Sequence, residues 1–175
     1  MPTITLSEDA DMRSTLVALA AVAVMAGPAA AQDHEMDHGA KHTDPVTALQ
    51  PVQQTYVDWV ITAAEQSSEA DYAYRPVATV RTLGQLYGHV ANSNYQICST
   101  IRGEANPNKV DFEGAGKAAM VAGLRASAAY CTEVAKYAAE HHHDPVDLFG
   151  MKGDMTWAVG FNAAHNAEHY GNIVT

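Results

Sequence analysis

The chain has 175 residues, 47% hydrophobic and 17% charged, which suffices for one domain with a buried core. Its 20 acidic residues outweigh 10 basic ones, for a formal charge of −10. No lysine or arginine cluster stands out, which argues against nucleic acid and anionic membranes as partners.

The first residues read as an export leader. Ser14 to Met25 is an apolar stretch behind Arg13, Gly27-Pro28 breaks it, and Ala29-Ala30-Ala31 offers small residues before Gln32. The stretch is shorter than the ~20 residues a membrane-spanning helix needs. Glu8, Asp9 and Asp11 contradict a positive leader start, whereas Met12-Arg13-Ser14 fits one. The expectation is therefore a signal peptide over 1–31 with Met12 as true initiator, and a periplasmic or secreted mature protein with no membrane attachment. Residues 32–47 then form a disordered linker, since Gln32 to Asp44 carries charge and histidine but nothing able to build a core. Its His34, His38 and His42 belong to a solvated tail; weak metal scavenging is the alternative.

Residues 48–175 form the folded domain. A first helix is expected over Pro51–Gln66, where Val52, Tyr56, Trp59, Val60 and Ala63 keep the i, i+3, i+4 rhythm. Ser67 to Thr79 is a connector in which Pro76 pushes Arg75 out of helical conformation. Arg75 either ties this loop to a helix end or meets an anionic substrate. Thr82 opens the second helix, with Gln85 completing a capping box. Leu83, Leu86, Tyr87, Val90, Asn94 and Ile97 form its inward stripe, and His89 falls at the stripe's edge, about a quarter-turn from its centre.

Ser99 to Gly116 reads as a loop. A third, alanine-rich helix spans Lys117–Glu140, with Met120, Val121, Leu124, Ala128, Cys131, Val134 and Ala138 inward. His141, His142 and His143 follow at its C-terminal end, where protonated histidine complements the helix dipole. Asp144 to Gly153 is a second connector, and Asp154 is suited to cap the last helix. On that helix Ala158, Phe161, His165, Glu168, His169 and Asn172 share one broad face.

Two histidines in that face require an explanation, because an unpaired buried polar group costs on the order of 1–3 kcal/mol. Residues at i and i+4 share a helix face with Cβ atoms roughly 5–6 Å apart, so His165 and His169 can reach one ion. A third imidazole from a facing helix, with His89 the candidate, would give three nitrogen donors and an open position, the layout of a catalytic metal site. Zinc or nickel suits such donors best, with iron also compatible. Each ligand would need an acceptor for its other nitrogen, for which Glu168 and Asn162 are candidates. Glu168 is also a weak candidate for a catalytic general base. The two cysteines, Cys98 and Cys131, are expected to form a disulfide in an oxidising compartment; two buried thiols are the alternative.

The segments Tyr72-Ala-Tyr-Arg75-Pro76, Val80 through His89 to Cys98, and His165-Asn-Ala-Glu-His169-Tyr-Gly-Asn172 resemble the DinB-like superfamily, from about Leu49 to the C-terminus. The resemblance implies an all-α four-helix bundle in which His89, His165 and His169 bind one divalent metal. In the family the last helix usually continues past the place where Thr175 stands, so either this chain is truncated or its C-terminal packing differs. Superfamily members include thiol-dependent transferases and isomerases, but an exported protein would lack the cytoplasmic thiol pool those enzymes use. The expected function is an exported metal-dependent hydrolase or transferase acting on a small molecule. The alternatives are a non-catalytic exported metal-binding or stress-related protein and a bundle whose site holds no metal in the cell. A homodimer is an open arrangement for any of these.

Overall fold

The computed structural model describes residues 44–175, so the expected leader and most of the histidine-rich linker lie outside the described residues. Four long helices carry the fold: α1 (Pro45–Gln66), α2 (Leu83–Arg102), α3 (Lys117–Glu140) and α4 (Met155–Val174). Both α1 and α2 pack against α3 and α4, and α1 faces α2 across the diagonal of the bundle. This places the histidine-bearing helices α2 and α4 side by side. None of the described helices is long and apolar enough to cross a membrane.

Helix α1 starts six residues before the expected Pro51 and takes up residues 45–47. Pro45 occupies its first turn, and the Asp44 carboxylate accepts from Thr47 N–H at 2.8 Å. Pro51 is therefore interior, where its missing N–H leaves the Thr47 carbonyl without a helical donor. The buried face is also rotated from the expected one. Gln53, Val57, Val60, Ile61 and Ala64 point inward, while Val52 and Trp59 are 45% and 46% exposed. Two apolar stripes run along α1, and periodicity alone does not say which one a neighbour covers.

Helix α2 begins with the expected capping box. Gln85 N–H donates to Thr82 Oγ1 at 3.1 Å, and Thr82 N–H donates to Gln85 Oε1 at 2.9 Å. It runs through the first residues of the expected Ser99–Gly116 loop and stops at Gly103, whose φ of 70° ends the helix in a left-handed cap. The rest of that loop contains a short 3-10 turn, Phe112–Gly114. Gly88 allows this turn to lie directly on α2, since a Cβ there would stand 2.4 Å from the Phe112 backbone.

Helix α3 matches its expected span. The connector before α4 is a β-hairpin: β1 (Pro145–Leu148) pairs antiparallel with β2 (Met151–Asp154), Leu148 opposite Met151. Phe149 and Gly150 turn it with φ of 57° and 83°. Asp154 then caps α4 by accepting from Trp157 N–H at 2.8 Å.

The core divides into two apolar halves. One gathers Val46, Ile97, Val134, Leu148, Ala158 and Val159 around the cysteines; the other gathers Val57, Val60, Tyr87, Val90, Phe112 and Leu124. Between them on α1, α2 and α4 lie buried polar side chains: Gln53, Asn94, Asn162 and Asn166. Asn166 Nδ2 donates to Asn94 Oδ1 at 3.2 Å. The sulfurs of Cys98 and Cys131 stand at bonding distance, with Cα atoms 5.4 Å apart, and so link α2 to α3.

Candidate metal centre

The three imidazoles meet just beyond this polar layer. His89 comes from the second turn of α2, and His165 and His169 come from successive turns of α4. Ring centroids are 5.4 Å apart for His89–His165, 4.8 Å for His89–His169 and 4.4 Å for His165–His169. One donor nitrogen from each ring falls within 4.8 Å of the others. Two donors roughly 2.1 Å from a common ion stand at most about 4.2 Å apart, so a small rotation of the rings brings the set onto one ion.

The orientation of each ring fits that role. His89 Nδ1 lies 3.1 Å from Glu113 Oε1, which directs its Nε2 edge away from the carboxylate, 3.4 Å from Ser93 Oγ. The Nε2 atoms of His165 and His169 face each other at 3.1 Å. Burial, then repulsion from His169 and His89, pushes the His165 pKa down to about 4. Burial, then His89, lowers that of His169. A lowered pKa keeps the rings of His165 and His169 free to offer nitrogen lone pairs, as ligation of a divalent ion requires. The Nδ1 atoms of His165 and His169 are buried without partners among the described residues, so no carboxylate or carbonyl orients these two rings from that side.

Glu113 was not legible as a site residue. It lies 24 positions from His89, in a loop with no periodicity, and reaches the ring because Gly88 lets the Phe112–Gly114 turn settle on α2. Its second oxygen accepts from Arg81 Nε at 3.1 Å, giving a line Arg81–Glu113–His89. The two expected acceptors do other things. Asn162 Nδ2 points at the cysteine sulfurs, 3.5 Å from Cys98 and 3.6 Å from Cys131. Glu168 is exposed at the rim beside His169 and makes no hydrogen bond to a ring among the described residues. One helical position separates it from the buried face, a turn of about 100°.

The other described histidines are elsewhere. His141 Nδ1 lies 3.1 Å from Asp144 Oδ2 and stacks on Tyr137, while His142 Nδ1 lies 3.1 Å from the Ala139 carbonyl. Both finish the end of α3. His34, His38 and His42 lie outside the described residues. Among the described residues, Arg75 reaches only the Ala78 carbonyl of its own loop, at 3.4 Å.

Comparison with known proteins agrees with this architecture. No curated protein and no solved structure gives a match. The family model described as the DinB superfamily matches residues 52–173, a span containing all three histidines, both cysteines and the four-helix core. The chain belongs to the DinB superfamily.

Proposed function

We propose that His89, His165 and His169 hold one divalent ion through their Nε2 atoms, and that the protein is an exported metal-dependent hydrolase or transferase acting on a small molecule. The observation that carries this reading is three imidazoles from two helices with donor nitrogens within 4.8 Å. Nitrogen donors favour zinc or nickel, with iron compatible. When bound, such an ion polarises a carbonyl or thiolate, or brings a bound water to a pKa of about 7.

The chain's own residues do the rest. Glu113 accepts the Nδ1 proton of His89 and so fixes the tautomer that leaves Nε2 free. The low pKa of His165 keeps its ring an acceptor at neutral pH. Glu168 stands at the rim of the same cleft as His169, where it would take a proton from an attacking water or thiol. Export is supported by the apolar leader and by the paired cysteines, a bond kept in oxidising compartments.

Elemental analysis of the purified protein tests the centre. His165→Ala and His169→Ala should abolish stoichiometric metal, and His89→Ala should weaken it strongly. Deleting 32–44 or replacing His141 to His143 should leave it intact. A triple His89/His165/His169 variant that kept a tightly bound ion would overturn the reading. Tight reversible binding without metal-dependent turnover of thiol, ester or amide substrates would instead make the protein a non-catalytic metal binder.

A further inference from the structure

Two clefts touch the histidine cluster, one at His89 and one at His169. The first, about 570 Å³, meets His89 and is rich in amides. Those amides already serve the loop before α3: Asn92 Nδ2 donates to Asp111 at 2.9 Å, Asn108 Nδ2 to the Val110 carbonyl at 2.7 Å, and Asn106 Nδ2 to Gln96 at 3.4 Å. The second cleft, about 800 Å³ and more enclosed, meets His169. Pro76, Val80 and Leu86 give it an apolar wall, and Arg81 and Glu168 are its charged side chains.

Arg81 is only partly used. Its Nε donates to Glu113 Oε2, the side chain is 44% exposed, and among the described residues neither Nη atom has a hydrogen-bond partner. A guanidinium has five N–H donors in a rigid plane. With Nε taken, the two Nη groups form a fork matched to a planar, two-oxygen anion. Glu113 fixes that fork in place. Glu168 in the same cleft and Glu113 on Arg81 Nε offset the guanidinium charge, so a doubly charged phosphate meets more repulsion there than a singly charged carboxylate.

We propose that this cleft takes a small monocarboxylate with an apolar body. Its carboxylate is gripped by the Arg81 Nη atoms, its body rests on Pro76, Val80 and Leu86, and its reacting end turns towards His169. The substrate class rests on the metal-centre reading, whereas the Arg81 grip is independent of it.

Calorimetry with isovalerate, its neutral isostere isovaleramide, and inorganic phosphate tests the idea on the zinc-loaded full chain. Isovalerate should bind at least about tenfold more tightly than the amide, as expected of a charge-assisted fork, and more tightly than phosphate. Arg81→Met should erase the carboxylate preference in protein that saturating zinc still loads with one ion per chain. Arg81→Lys, which keeps the charge but not the fork, should restore only part of it; it decides the matter if the methionine variant does not fold. Equal carboxylate preference in wild type and a folded Arg81 variant, or tighter binding of phosphate, would overturn the proposal. If wild type takes up no zinc, the metal-centre reading fails separately. The carboxylate-to-amide ratio in zinc-free wild type and Arg81→Met then still decides the grip.

Discussion

Acid should destabilise the metal-free protein through His165, and the size of the effect follows from its surroundings. Burial and two neighbouring imidazoles depress its pKa from 6.5 to about 4 in the folded state. Between those values the unfolded chain binds the proton and the folded one does not, so stability rises with pH. The contribution is complete above about pH 6.5 and is lost as pH falls towards about 4. At about 1.36 kcal/mol per unit the full difference is about 3 kcal/mol, of which roughly 2–2.5 kcal/mol disappears between pH 7 and pH 4.5. His169, lowered by burial and by His89, adds in the same direction. Urea unfolding of chelator-treated protein at the two pH values measures the loss. His165→Leu supplies the reference for the other groups that titrate, because it removes the ring while keeping the site filled. Its loss of stability should be smaller than that of wild type by roughly 2 kcal/mol. Equal losses in the two proteins would refute the argument that this ring is held neutral by burial.

Other expectations address the supports of the centre. Glu113→Gln should lower zinc affinity about 10–100-fold without removing a ligand, since carboxylate partners of ligating histidines have effects of that size; competition with a chromogenic chelator reads it. Gly88→Ala places a methyl 2.4 Å from the Phe112 backbone, so it should destabilise the fold by about 1–3 kcal/mol and weaken zinc binding by moving Glu113 off His89. Cys98→Ser/Cys131→Ser should cost about 3–4 kcal/mol by the chain-entropy relation for a separation of 33 residues. Its unfolding curve should match that of wild type treated with reductant.

Chain-local signals determined much of this protein. Capping chemistry at Thr82 and Asp154 located two helix starts, because a side-chain oxygen three residues before an orphan N–H is a local device. The i, i+4 spacing of His165 and His169 placed both rings on one face for the same reason, and the family resemblance supplied His89 as the third. Tertiary packing decided the rest. Val52 and Trp59 had the periodicity of a core face, yet α3 and α4 cover the adjacent stripe of α1 instead. Asn162 had the spacing of a histidine partner but faces the cysteine pair, since its surroundings depend on how α4 is rotated against α2 and α3. Glu113 had no local signature at all. Here a loop carboxylate meets a helix histidine because a glycine on the helix lets two backbones touch, and that is a property of packed surfaces, not of any segment read alone.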